Sequence, residues 1–285
     1  MEKVVLRLKG GLGNQLFQYA FARKIALFHN ARLIIDCKSG FSRDFKYRRV
    51  FELHHFNIII DATGGSFMYL LRMQISKFLK RFNLHFYDYY LSDDSMEYNS
   101  KYLAVNTRGI LFIDGYFQSY RYFQDIAAIL SRDLSFINSS LHFSTELFNK
   151  NSVAIHFRYF TPIDSKLNSE NLDLSYYENS ISFLLNKNRD FKFFVFSDDI
   201  SSVSELDLFK QLPNVQFMSN NAIYDFAMMS KCKNIIIANS TFSWWAAWLN
   251  SFDKEFIICP DIAFSGDTTS WGFDGLIPDN WIKII

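Results

Sequence analysis

Cysteine is scarce in this 285-residue chain, at Cys37, Cys232 and Cys259 only. Three widely spaced thiols supply neither a disulfide framework nor a cysteine zinc site, and they suit a reducing cytoplasm. Charge of either sign in excess is also missing. Thirty Lys and Arg stand against 29 Asp and Glu, a net +1, so no global field draws the chain to nucleic acid. No apolar run reaches the length of a membrane span. Met1-Glu2-Lys3 leads directly into a strand pattern without a small-residue cleavage site, so no signal peptide is expected. There is no GxxxxGK[ST] phosphate loop, which excludes that kind of ATPase or kinase. Nor is there an Asp-x-Asp in strand context to hold a divalent metal on a sugar nucleotide. Ser197-Asp198-Asp199 is the nearest approach to one. Sequence repeats and low-complexity linkers are absent as well.

Apolar residues are plentiful, at 49% of the chain, with 32 Phe and 15 Tyr that read mostly as core. Strand and helix patterns alternate. In the first half, Val4 to Leu8 reads as a strand, Asn14 to Phe28 as a helix, "ARLIIDC" as a strand ending at Asp36, and "GILFIDGYFQS" as a strand and its exit. "RYFQDIAAIL" reads as the beginning of another helix. The second half begins near residue 150 with "SVAIHFR", then "LSYYENSISFLLNK", "FKFFVFSDD", "VQFM", "AIYDFAMMSKC", "NIIIANSTFSWWAAWLN" and "EFIICP". Near-continuous apolar strands fit parallel sheets covered on both faces, and the βα order implies right-handed crossovers. The expected organisation is two doubly wound α/β lobes, 1–148 and 149–285, meeting near residues 140 to 152. A helix over 66–82 places Phe67, Leu70, Leu71, Ile75, Phe78 and Leu79 on one side and Arg72, Lys77, Lys80 and Arg81 on the other. Packing with a solvated basic face is the preferred reading, and contact with an anionic membrane surface is the other.

Four stretches carry polar chemistry at strand ends. Gly10, Gly11 and Gly13 lie between a strand and a helix, where backbone can approach a phosphate. With Asp36 the loop mimics a nicotinamide fingerprint, but Leu16 stands where that site needs a small residue, and Asn14 offers an amide donor instead. His156 and Arg158, two apart at a strand end, point to one side. Arg158 can hold a diphosphate through paired hydrogen bonds, although a surface arginine and a core histidine would read the same. Asp198 and Asp199 follow a buried strand and suit ribose hydroxyls or a guanine edge, or else helix capping by Ser197 or Asp198. Asn239-Ser240-Thr241 opens a helix whose first N–H groups form an anion site. Asp225 is a lone acid among apolar residues and needs a partner, which the paired donors of guanine would supply. Trp245 and Trp248 read as plain helix packing.

Together, "GGLGNQLFQYAFA", "GYFQSYRYF", "HFR", "FSDD" and "MMSKCKNIIIANSTFSWWAAWLN" resemble the bacterial α-1,2-fucosyltransferases of glycosyltransferase family 11. The resemblance spans residues 4 to about 250. It implies a GT-B-like fold of two Rossmann-like lobes with a cleft between them, the first for the acceptor and the second for GDP-fucose. It also implies inverting transfer of L-fucose from GDP-β-L-fucose to the 2-hydroxyl of a terminal galactose, with no metal or other cofactor.

Carried onto this chain, the resemblance gives Arg158 the β-phosphate and the leaving group. Asn14 of the Gly11–Gly13 loop receives the same diphosphate from across the cleft. His156 would position the nucleotide, Ser240, Thr241 and Phe242 would contact phosphate and nucleoside, and Asp225 and Asp198 would take guanine and ribose. The family's His-x-Arg-Arg-x-Asp is degraded to His156, Phe157, Arg158, Tyr159, Phe160 and Thr161, leaving Asp164 and Glu178 as nearby acids. On the first lobe, Asp36, the Phe41–Arg49 loop and Tyr116 to Tyr120 are acceptor candidates. The expected partners are GDP-fucose and a galactose-terminated glycan, in the cytoplasm or peripheral to the inner membrane face, without nucleic acid. An NAD(P)-dependent oxidoreductase and a non-catalytic sugar-nucleotide or glycan-binding protein are the alternatives.

Overall fold

Runs such as Val4-Val5-Leu6, Ile110 to Ile113 and Val153 to Ile155 are buried on both faces and pair in parallel, as apolar strands without alternation must. The computed structural model describes the chain except residues 43, 61, 64–66, 85–86, 138–148, 159–171, 250 and 264–270. It divides into two units, Met1–Ile137 with Ser265–Pro278, and Asn138–Phe264 with Asp279–Ile285. The expected division at 148/149 left the whole tail in the second lobe. In the structure the stretch ending at Pro278 returns to the first unit, where Tyr98 and Tyr120 donate backbone N–H bonds to Asp274 and Gly275 carbonyls, and Arg121 pairs with Asp274 at 2.8 Å.

The first unit contains β1 (Lys3–Arg7), α1 (Leu12–Phe28), β2 (Arg32–Asp36), β3 (Ala62–Thr63), α2 (Phe67–Lys80), β4 (Tyr89–Leu91), β5 (Ile110–Ile113) and α3 (Ala127–Asp133). Its sheet runs β3-β2-β1-β5-β4. The second contains β6 (Ser152–His156), α4 (Leu174–Lys187), β7 (Lys192–Phe196), α5 (Ile200–Ser204), α6 (Asp207–Lys210), β8 (Val215–Met218), α7 (Ala222–Lys231), β9 (Asn234–Ile236), α8 (Thr241–Trp248), β10 (Phe256–Pro260) and β11 (Ile282–Ile284). Its order, β11-β10-β9-β6-β7-β8, is that of a Rossmann sheet. In both sheets the winding direction reverses beside the first strand, between β1 and β5 and between β6 and β9. Ligands of open α/β sheets bind off the carboxyl ends at such a reversal.

Two expectations change. "RYFQDIAAIL" does not start a helix at Arg121. It passes through 3-10 turns at Tyr120–Tyr122, where the Ser119 hydroxyl accepts from the Arg121 N–H, and at Gln124–Ile126 before α3. In α2 the apolar side was expected to pack inward. Instead Met73 joins the core beside Val5, Tyr90 and Phe112, with Tyr69 and Leu70 against it, while Leu71, Ile75 and Phe78 face solvent.

The glycine loop is fastened from within by two fully buried glutamines of α1. Gln18 accepts from the Lys9 N–H at 3.0 Å and donates to the Lys9 carbonyl at 2.7 Å. Gln15 donates to the carbonyls of Gly10 and Val50 at 2.9 and 2.8 Å and accepts from the Glu52 N–H at 3.0 Å. Removing either amide strands backbone groups away from water. Gln18→Leu is expected to lower the unfolding free energy by about 2 kcal/mol, read as a lower urea midpoint at unchanged slope.

Candidate functional site

At the β6–β9 reversal, β6 delivers His156 and then, past its last paired residue, Arg158. Phe157, between them, turns to the opposite face and stacks on Tyr177 of α4 at 4.3 Å. The strand period thus sends His156 and Arg158 toward α8, as expected from their spacing. The His156 ring lies 5.7 Å from Phe242, and the nearest Arg158 Nη1 lies 3.4 Å from the Ser240 hydroxyl. Ser240 is the N-cap of α8 and accepts from the Phe242 N–H at 3.3 Å. Thr241 is the first helical residue. A fixed cation, a capping hydroxyl and a helix N-terminus therefore converge within one unit, a set of groups suited to a phosphate.

His156 is buried, its Nδ1 has no hydrogen-bond partner among the described residues, and burial first, then the neighbouring charge of Arg158, pushes its pKa down to about 3. The imidazole is neutral at any ordinary pH and can offer a hydrogen bond without adding a charge. Asp225 stands in the first turn of α7, next to Phe226, whose ring meets Phe242 at 5.2 Å. Burial raises its carboxyl above the usual range, and Asn220 opposes the rise by donating to Oδ1 at 2.9 Å. Asn220 is the partner within the chain that the isolated acid required, and the sequence reading missed it. Asp198 is exposed in the turn after β7. The cap of α5 is neither Ser197 nor Asp198 but Asp199, which accepts from the N–H and hydroxyl of Ser202 at 3.1 and 2.6 Å. Trp244, Trp245 and Trp248 are all buried, in keeping with packing. Tyr159, Phe160, Thr161 and Asp164 lie outside the described residues, and Glu178 is exposed on α4.

In the first unit the corresponding edge carries the glycine loop. Gly10 has φ +82, which favours glycine, and a Cβ there would displace the Asn14 amide, 2.9 Å away. Gly11 caps α1 without a side chain, and Gly13 is buried in its first turn. Asn14 is half-buried and accepts from Gln118 at 2.8 Å. Across the reversal, Asp114 follows β5 and receives Lys9 at 2.9 Å, Arg7 at 3.2 Å and the Tyr90 hydroxyl at 2.9 Å. Burial works to raise this carboxyl, and the two cations with the tyrosine overcome it and hold it below its ordinary range. Lys9 also sits 4.9 Å over the Tyr116 ring. The Lys9–Asp114 group went unread because its members look like ordinary strand-end charges.

Asp36 is corrected outright. It is buried and accepts from the Lys38 and Ser39 N–H groups at 3.0 and 2.9 Å and from the Ser39 hydroxyl, so it is committed to its own turn. Phe117 and Tyr120 are core residues as well; Phe117 stacks on Phe21 at 3.9 Å. Of that aromatic stretch only Tyr116 and Gln118 remain partly open beside the loop.

A protein-family model described as glycosyl transferase family 11 matches residues 65–270. The O-antigen biosynthesis glycosyltransferase WbnK of Escherichia coli is 31% identical over 312 residues, covering 97% of this chain and 99% of that protein. An α-1,2-colitosyltransferase of Escherichia coli is 32% identical over 304 residues, covering 100% of this chain and 99% of that protein. Among solved structures, fucosyltransferase NodZ from Bradyrhizobium shares the fold at a TM-score of 0.52 and 15% identity, over 86% of this chain and 92% of that one. The chain belongs to glycosyl transferase family 11, a glycosyltransferase of the GT-B-like fold class built from two Rossmann-like α/β units.

Proposed function

We propose that the chain transfers L-fucose from GDP-β-L-fucose to the 2-hydroxyl of a terminal β-galactose, inverting the anomeric centre to give an α-1,2 linkage. The observation that supports this most is Arg158 beside the capping Ser240 at the β6–β9 reversal. In the proposed reaction the galactose hydroxyl attacks the anomeric carbon from the face opposite GDP. The new C–O bond forms as the bond to the β-phosphate oxygen breaks, and the hydroxyl proton leaves to solvent. Negative charge grows on the departing diphosphate, and Arg158 with the N-terminus of α8 acts where that charge develops. Neutral His156 adds a hydrogen bond, Thr241 and Phe242 contact phosphate and nucleoside, and Asp225 and Asp198 take guanine and ribose. Asn14 is assigned a second catalytic role on the leaving group. The reaction as proposed uses no metal.

Colitosyl transfer is the second reading, favoured by the full-length similarity to an α-1,2-colitosyltransferase. Colitose is fucose without its 3-hydroxyl, so the two donors share the diphosphate chemistry and differ at one ring position. Turnover with GDP-fucose and with GDP-colitose on one β-galactoside ranks the two.

Arg158→Ala is expected to lower kcat/KM by about 10²–10³. Turnover near that of the unaltered protein would sink the assignment. Asn14→Ala is expected to reduce transfer more than it reduces GDP affinity measured by calorimetry; equal losses would make Asn14 an ordinary binding residue. His156 makes a separate pH prediction. Its pKa is about 3 in the folded chain, against about 6.5 unfolded, so between these values the unfolded chain binds the extra proton. Stability contributed by the neutral ring is complete above the unfolded value and is lost as pH falls toward the folded one. The urea midpoint should therefore decline on acidification, and less steeply in His156→Gln.

A further inference from the structure

One face of α2 turns away from its own unit. Met68, Leu71, Ile75 and Phe78 follow one another at helical spacing, and all four are exposed, between 44% for Leu71 and 58% for Met68. Phe82, just beyond the helix, extends the row with its ring 5.2 Å from that of Phe78 and is 61% exposed. The face that packs on the sheet is a different one, carried by Tyr69, Leu70 and Met73. The helix is therefore apolar on two sides, and the outer side is not a by-product of the core. Single exposed apolar residues are normal, whereas a continuous row of them marks an interaction surface.

The charge around the row selects the occupant. No Asp or Glu occurs from Gly64 to Tyr87, while Arg72, Lys77, Lys80 and Arg81 do. Arg72 is held by Asp88 in two bonds of 2.7 and 2.6 Å, and Lys80 reaches Ser92 at 2.8 Å and the exposed Asp94 at 3.3 Å. Lys77, one turn on from Met73, is exposed but leans over the Tyr90 ring at 5.4 Å on the sheet side, whereas Arg81 is exposed and makes no such contact among the described residues. A second copy of the chain would bring the same cations against these, with no acid on the helix to meet them. A bilayer with anionic headgroups satisfies both features, since apolar side chains enter the acyl boundary and long basic side chains extend to the phosphates. We infer that the outer face of α2 is a peripheral docking surface for an anionic lipid membrane. This goes beyond the transfer reaction and does not depend on which sugar is transferred.

The experiment is flotation of the purified full chain with phosphatidylcholine vesicles, with or without phosphatidylglycerol, at low and high salt. The chain should float with the anionic vesicles at low salt and partition less onto neutral ones. Ile75→Ser with Phe78→Ser should cut partitioning at least about tenfold. Arg81→Glu, a change of two charge units, should weaken the anionic preference by about fivefold per unit. Both variants alter exposed positions, and unchanged circular dichroism and urea midpoint check that the fold is kept. Failure to float with anionic vesicles overturns the inference, as does flotation indifferent to Ile75→Ser with Phe78→Ser. A dimer in light scattering that this pair dissolves would assign the face to a second copy and would overturn it too.

Discussion

A parallel ladder buried on both faces leaves one place for polar chemistry, the edge where its carboxyl ends emerge. Everything assigned to function here follows from that constraint. Strands such as Ile110–Ile113 and Ser152–His156 cannot carry a charge along their length, so their ionisable residues collect at the last position or just past it. The reversal of winding then opens a gap between two neighbouring strand ends, and the side chains at that gap are the ones able to meet a ligand. The two units resolve the same problem differently. The first closes its gap with internal ion pairs, Lys9 and Arg7 on Asp114. The second keeps its histidine neutral by burial and sets an arginine beside a capping hydroxyl, an arrangement with positive potential to offer an anion.

Much of this was legible in the residues. The period-free apolar runs identified most strands, and the helix over Leu174–Lys187 was readable to the residue because Asp173 caps it and its buried positions recur at helical spacing. The neighbourhood of His156, Arg158 and Ser240 was also readable, since strand ends and a helix start can be marked without coordinates. Strands β4 and β11 escaped notice at three residues apiece, too short for any periodicity to register. Asp36 misled because an acid at the end of a second strand has the same appearance whether it holds a ribose or its own following turn. What decided between them was the position of Ser39, a relation only folding creates.

Helix α2 shows a different limit. Its composition announced an amphipathic helix, but the sequence could not say which apolar residues the sheet would take. Leu70 and Leu71 are neighbours in sequence, and the helix sends one inward and the other out. An apolar sector wide enough for two partners looks, in a list of residues, like one broad face for a single partner.

The first unit reclaims Ser265–Pro278 after the second has begun, and the chain then goes back to supply the final strand. The backbone therefore changes units three times, and neither unit is a contiguous stretch of the gene. In evolutionary terms the parts are not freely interchangeable. Recombination at a single crossover would pair one parent's sheet with the other parent's returning segment, mismatching the contacts that Asp274 and Gly275 make with Tyr98, Tyr120 and Arg121. New specificities in such an architecture are more readily reached by point changes along the strand ends than by shuffling of whole units.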